Sequence, residues 1–428
     1  MLNTKNILTR GNSYKYFNFL DNHSPFFNLI YGDFQDKNNS HKLNSIYEKN
    51  SVIIYIDDAH HSCCKSFKTD HLCNDNVNLI ISENWYCDEN HEKLKRWPIG
   101  ISTKYFTKKY INKGLYLIDN MLNKYHHQTK NKLVCNTVKM KGGYKNPASG
   151  GINDRGKLKN LVKTKEYNKL GDSFFLSYNE YLNKITNYYY ALSPEGNGYD
   201  THRFYELYGM GVIPITRKSV LTPLYKNFPG VHIVDKWHDV LNLDIPKVNF
   251  KPDLDLLTVS YWLFQSFISI CKIVFLVSKQ DLPKIQNNLK SIEELSLIDN
   301  TSFICQDIES YNYIQSTNSK IKIELFKENQ AIDKTILKYL NQGCFTCFIN
   351  INLKIINNPF KFLFRYGPNH IILEKNQVLE NMYNNKFMFI LPTKMNIDYY
   401  DNLVNDKKIN KLPDISYIPD ISKDFIEI

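Results

Sequence analysis

A chain of 428 residues is too long for one ordinary hydrophobic core and is expected to divide into domains. Its hydrophobic content of 43%, with 14% aromatic residues, excludes wholesale disorder. The net charge of +11 comes from lysines scattered along the chain, with "KMKGGYK" (139–145) the local cluster; no nucleic-acid motif accompanies it, and no nucleic-acid partner is expected.

The opening "MLNTKNILTRGNSYKYFNFL" has no continuous apolar stretch and does not read as a secretory leader. "SVIIYID" (51–57) and "VNLIIS" (77–82) are short apolar runs with polar ends, as in strands buried on both faces of a parallel sheet. His60, His61, Cys63, Cys64, His71, Cys73, Cys87 and His91 are zinc-ligand types, but they form neither a C-x-x-C pair nor a helical His pair. Ordinary thiols are the favoured reading. Nine cysteines without framework spacing point to reduced thiols and a cytoplasmic location.

"RWPIGIS" (96–102) closes the first series, and "NKLVCN" (131–136) opens a second. There "NEYLNKITN" (179–187) and "DTHRFYELYGM" (200–210) read as helices between the strands "YYYALS" (188–193), "GVIPIT" (211–216) and "GVHIVD" (230–235). Such alternation predicts doubly wound α/β domains. The segment 248–270 reads as helical after Pro252. Within it, "YWLFQSFISICKIVFLV" (261–277) is broken by Gln265, Ser266 and Lys272 and is short for a bilayer. It is expected to be a buried helix running into a buried strand, with no membrane span. A third series starts with "KIVFLVS" (272–278). "CFTC" (344–347) has redox spacing but lies in an apolar, strand-like run, which favours core thiols. Three pieces are expected: 1–125, 126–265 and 266–428.

"LSPEGNGYDTHRFYELYGMGVIPI" (192–215) gathers small and charged groups at the mouth of one helix. Ligands of open α/β sheets bind beyond the carboxyl ends of the strands, and "PEGNG" leaves such an end. Gly196 and Gly198 permit close backbone approach. Asp200 or Thr201 can cap the helix, whose N-terminus favours an anion. Arg203 and Glu206 lie three apart, and His202 lies four before Glu206, so the three share one face. A guanidinium suits a diphosphate, and a carboxylate suits vicinal hydroxyls. A nucleotide sugar offers both.

The stretch 192–237 resembles the donor-binding segment of exostosin-like glycosyltransferases. The shared order is a proline, a Gly-rich loop, the "DTHR" turn, an aromatic residue before Glu, a glycine, Ile-Pro and a final Asp-x-Trp. The likeness extends more loosely back to about residue 50. It implies a GT-B arrangement of two Rossmann-like domains, with the N-terminal one on the acceptor side and 126–265 holding a nucleotide-sugar donor, expected to be a UDP-sugar. By this resemblance Gly196, Asn197 and Gly198 form the phosphate-side loop. Arg203 faces the diphosphate and Glu206 the ribose or sugar, Asp200 and His202 support them, and Pro214 and Ser219 shape the far wall. "FYELYGMG" departs from the family's usual Trp-Glu-Ala-Leu but keeps Glu206. No cofactor is required by such a unit, since basic residues and a helix dipole can stabilise the leaving diphosphate. Arg155 is either a second phosphate contact or a solvated loop arginine. The base for the acceptor hydroxyl is sought at the ends of the first strands, among Asp57, Asp58, His60, His61 and Glu83, with Asp58 or Glu83 preferred.

Residues 333–363 resemble the metal-site region of GT-A nucleotide-diphospho-sugar transferases, as "YNNKFMFILPTKMN" (383–396) resembles a later strand of that family. Here Asn350 and Asn352 stand where the family has Asp-x-Asp, and Pro359 falls at the matching place. Neutral carbonyls hold a divalent metal poorly. The implied architecture is thus α/β throughout: two Rossmann-like domains followed by a smaller GT-A-like domain with a degenerate metal motif. The implied function is transfer of a sugar to an unidentified hydroxyl acceptor, the alternative being an inactive binding or scaffold protein.

Overall fold

The computed structural model describes residues 7–31, 51–56, 72, 74–83, 91–106, 111–123, 132–135, 158, 160–165, 178–195, 199–244, 246–247, 250–317, 320–325, 331–350, 354–355, 387–390, 397–398, 401, 415–416 and 426–427. The chain forms two compact units, Met1–Lys15 with Leu29–Val259, and Tyr16–Asn28 with Ser260–Ile428. Both are mixed α/β and built on parallel strands.

The first unit carries two four-stranded sheets. One is ordered β1-β2-β3-β4, from Phe27–Tyr31, which belongs to this unit from Leu29 onward, Ser51–Ile56, Val77–Ser82 and Leu94–Arg96. Within it β2, β3 and β4 run parallel, with Ile53 opposite Ile80 and Ile80 opposite Leu94. Every residue of β2 is buried, as a strand covered on both faces requires. The second sheet is ordered β5-β6-β7-β8, from Lys132–Cys135, Tyr188–Leu192, Ile213–Arg217 and His232–Val234, all parallel. One face packs Tyr190, Leu192, Ile213, Ile215 and Val234 with Leu158, Val162, Trp237 and Val240.

The helices of this unit include the start of α1 (Arg10–His23), α2 (Ile111–Asn123), α3 (Tyr178–Ile185), α4 (His202–Gly209) and the short α5 (Thr222–Tyr225). Helix α4 is anchored by Phe204, Tyr205, Leu207 and Tyr208, whose spacing of three and four places them toward the core. Phe204 stacks on Tyr225 at 4.3 Å and meets Phe228 edge-on at 5.1 Å. The helix stops at Gly211, which takes a positive φ of 67°. Gly211 N–H donates to Tyr208 O, and Val212 N–H donates to Leu207 O, the paired closure typical of a glycine after a helix. This is why β7 starts at Ile213 rather than at Gly211, where the sequence pattern put it. Thr201, the N-cap residue, makes no side-chain capping bond. The Asp200 carboxylate instead accepts from the Thr201 N–H at 2.8 Å.

The two sheets of the first unit are joined through an N-terminal segment. Leu8 N–H donates to Leu257 O at 2.7 Å, and Ile101 N–H donates to Leu8 O at 2.8 Å. Ile7 and Thr9 bridge to Thr258 and Gly100 respectively.

The second unit holds a six-stranded sheet ordered β11-β10-β9-β12-β14-β15. Its strands are β9 (Cys271–Val277), β10 (Thr301–Cys305), β11 (Lys322–Leu325), β12 (Phe345–Asn350), β14 (Phe387–Ile390) and β15 (Ile415–Ser416). The first four in spatial order are parallel, and β14 and β15 are antiparallel to their neighbours. A separate pair, β13 (Lys354–Ile355) and β16 (Ile426–Glu427), is antiparallel. Helices α6 (Val259–Phe267), α7 (Leu282–Glu294), α8 (Ile308–Thr317) and α9 (Ala331–Leu340) alternate with the strands. The apolar run 261–277 is helix α6, a 3-10 turn over Ile268–Ile270 and strand β9, as its interrupting polar residues suggested. Among the described residues, no helix is long and apolar enough to cross a membrane.

Candidate functional site

The site is assembled at the carboxyl ends of β6 and β7. Beyond Leu192 the ladder continues one step, with Ser193 N–H donating to Ile215 O at 2.8 Å. The Ser193 hydroxyl is buried and has no hydrogen-bond partner among the described residues. Helix α4 starts seven residues past Glu195, and its first turn brings Arg203 back to this strand end. Arg203 Nε donates to Leu192 O at 2.9 Å, and the guanidinium lies over the Tyr181 ring at 5.3 Å. With Nε committed, Nη2 is left buried and unpartnered among the described residues.

Glu206 follows one turn later, 7% exposed. Burial pushes its carboxyl up to about 8, and the nearby Arg203 charge only partly offsets this. No ion pair joins Arg203 to Glu206. The carboxyl is therefore protonated at neutral pH and able to donate a hydrogen bond. The sequence suggested a carboxylate for the sugar's hydroxyls; the structure has a cation beside a neutral acid.

Two further charged residues meet here that the candidate set did not include. Glu195, 6% exposed, accepts from Arg217 Nη2 at 3.2 Å. Leu192 and Ile215 are register partners, so residues just past each sit side by side at the sheet's head. The strand-end rule that singled out "PEGNG" applies equally to Arg217, the last residue of β7.

Asp200 and Ser219, named around the donor, are both engaged within the fold. Both Asp200 oxygens are filled: Oδ2 accepts from Ile99 N–H at 3.0 Å and Tyr205 O–H at 2.6 Å, and Oδ1 from Thr201 N–H at 2.8 Å and Tyr225 O–H at 3.0 Å. Four donors exhaust a carboxylate's ordinary capacity, so Asp200 is a buried knot between the two sheets. Burial raises its pKa, opposed by these hydrogen bonds. Ser219 is spent on the turn before α5: its hydroxyl accepts from Leu221 N–H, and its own N–H donates to Thr222 Oγ1.

His202 Nδ1 lies 2.7 Å from Gly100 O. A carbonyl only accepts, so Nδ1 carries the proton. Burial lowers the ring's pKa, the bond to Gly100 opposes this, and the Arg10 charge lowers it further. Glu83, one of the two acids preferred as base, has no exposed surface and accepts from Arg10 Nε at 2.8 Å. It serves there as half of an ion pair.

Gly196, Asn197, Gly198, Arg155, Asp57, Asp58, His60, His61, Asn352 and Pro359 lie outside the described residues. Asn350 is the last residue of β12, with its side chain outside the description. Of the histidines and cysteines with zinc-ligand chemistry, only His91 is described. Among the described residues, no group of three or more His, Cys, Asp or Glu could hold a metal ion. Cys344 and Cys347 are free and buried, and burial pushes the Cys344 thiol up to about 11 and Cys347 well above its ordinary value. They are unreactive core thiols at neutral pH.

Neither any protein-family model nor any curated protein matches this chain.

Proposed function

We propose that the first unit is a glycosyltransferase of exostosin-like, GT-B type, which takes a sugar from a nucleotide-diphosphate donor, a UDP-sugar in first place, to a hydroxyl acceptor. The observation that carries this reading is the pair of buried polar groups without a partner among the described residues at the head of β6, Arg203 Nη2 and Ser193 Oγ. An unsatisfied buried polar group costs about 1–3 kcal/mol, so such a pair at a strand end is the mark of a place where a ligand's oxygens belong. Arg203 is anchored through Nε, which leaves its outer nitrogen to meet an anionic oxygen. A neutral Glu206 one turn away does not repel that anion and can hydrogen-bond a hydroxyl. Anionic and hydroxyl chemistry within one turn matches a sugar nucleotide. Arg203 supplies the charge on the leaving diphosphate that a metal would otherwise supply.

The test is calorimetric titration of the full chain with UDP and a panel of UDP-sugars, beside an Arg203→Ala, Glu206→Ala double variant. A ligand at a hundred times its Kd also raises stability by about 2.7 kcal/mol, visible in thermal unfolding. Binding to wild type with loss in the variant supports the reading; equal behaviour of the two proteins with every nucleotide refutes it. A second reading, a donor-binding protein that transfers nothing, is favoured by the engagement of Glu83 with Arg10. It is separated by measuring UDP release from the UDP-sugars that bind.

A further inference from the structure

We propose that His202 is the general base of the transfer, accepting the acceptor's hydroxyl proton at Nε2; this rests on the reading of the site as a glycosyl-transfer site. The transfer needs a group with a free lone pair beside the donor. Glu83 has no exposed surface and its Oε2 accepts from Arg10, Asp200 accepts four hydrogen bonds, and Glu195 is buried with its Oε1 accepting from Arg217, so none of the three is open to an acceptor.

His202 differs from all three. Its bond to the Gly100 carbonyl places the ring proton on Nδ1 and so leaves the lone pair on Nε2. Nε2 makes no hydrogen bond among the described residues, and the ring is only half-buried. The position is equally apt. His202 is the first residue of α4, directly before Arg203 and one turn from Glu206 on the same face. It also reaches the loop after β4, so it stands where the carboxyl ends of both sheets of the first unit converge.

The groups around it favour the neutral ring. From α1, the Arg10 cation, itself tied to Glu83, opposes a second positive charge. On its own helix, Glu206 is neutral until about pH 8, so no carboxylate draws a proton onto the ring from that side. Among the described residues, the backbone carbonyl of Gly100 favours the cation.

In the step itself, Nε2 takes the proton as the acceptor oxygen bonds to the anomeric carbon. The bond from that carbon to the diphosphate oxygen breaks, and its electron pair leaves with the nucleotide diphosphate, facing Arg203. A single displacement of this kind inverts the anomeric centre, and the imidazolium returns its proton to solvent.

His202→Asn isolates the role, because the Asn Nδ2–H can still donate to Gly100 O while Nε2 is gone. The probes are UDP, for binding, and the UDP-sugar panel with water as acceptor, for UDP release. The expected result is UDP affinity within about twofold of wild type and release slowed about 10²–10⁴-fold, with the acid limb of the pH–rate profile lost. In wild type that limb lies below the ordinary histidine value, and the sugar is released with inverted anomeric configuration by NMR. Should the Asn variant unfold, His202→Ala with added imidazole replaces it, and recovery of rate supports the base. A folded Asn variant that turns over at the wild-type rate overturns the proposal. So does a wild type that binds UDP but releases none from any UDP-sugar, which leaves donor binding standing. A wild type that binds no UDP removes both readings, through the binding measurement alone.

Discussion

Glu206 shows how much of a residue's chemistry is set by its surroundings. A carboxyl with an ordinary value of 4.5 and a folded value of about 8 is protonated in the folded chain and ionised in the unfolded chain across that interval. Folding then takes up a proton, so stability falls as pH rises from about 4.5 to about 8 and levels off above it, by at most about 1.4 kcal/mol per pH unit. Glu206→Gln is neutral at every pH and removes this slope. The variant is expected to match wild type near pH 5 and to exceed it by about 3 kcal/mol or more at pH 8. Urea denaturation of the two proteins at both pH values checks this; parallel stability curves would contradict a buried neutral acid. The spacing of Arg203 and Glu206 was legible in the sequence, as was their place beside a strand end. The protonation state was not, because it depends on burial by residues distant in the chain. The bridging place of Asp200 was hidden for the same reason: Ile99 and Tyr225, which together with Thr201 and Tyr205 fill its oxygens, lie far off in sequence.

Strands and helices were well marked by apolar runs and their period, but the joints between them were not. Two glycines of the first unit make the point. Gly100 has a φ of 65°, and a Cβ there would lie 2.2 Å from the backbone oxygen of Leu8. That strand-like contact joins the two sheets, and no side-chain movement relieves a clash with backbone. Gly209, the last residue of α4, would place a Cβ 2.6 Å from the Met121 methyl and 2.7 Å from a Leu257 methyl. Both are ends of flexible side chains, and alanine is the better helix former by up to about 1 kcal/mol. Gly100→Ala is therefore expected to cost about 3 kcal/mol or more, combining left-handed strain with the clash. Gly209→Ala should cost clearly less, about 0–2 kcal/mol, as repacking and propensity oppose each other. Denaturation midpoints order the two, and equal losses would mean that the Leu8 segment yields. In sequence Gly100 was simply part of "RWPIGIS", since its constraint comes from a segment some ninety residues earlier.

At the scale of the whole molecule, chain order misleads about which residues fold together. Composition and periodicity divided the chain at successive points along its length, whereas the second unit combines Ser260–Ile428 with Tyr16–Asn28. The reason lies in aromatic packing. Phe17 meets the Phe267 ring edge-on at 6.3 Å, and Phe27 meets Phe267 at 5.6 Å and Phe345 at 5.8 Å. Gly343, with a φ of 72°, lets the chain turn against Phe26, where a Cβ would come within 3.1 Å of that side chain. No local pattern in 16–28 reveals these partners, because they lie more than two hundred residues away. Phe17, Phe26 and Phe27 are all buried, and burying a Phe side chain contributes about 1.5–3 kcal/mol. Their joint removal takes away an amount comparable to the whole stability of an ordinary domain. A fragment of residues 260–428 should accordingly be insoluble or loosely packed, with Phe267 and Phe345 uncovered. Joining residues 16–28 to it through a flexible linker should restore a cooperative thermal transition, and the same linked segment with Phe17 and Phe27 changed to Ser should not. Near-ultraviolet circular dichroism and thermal unfolding of the three fragments provide the comparison. A cooperative transition in 260–428 alone would show that the later strands complete their core without the N-terminal aromatics.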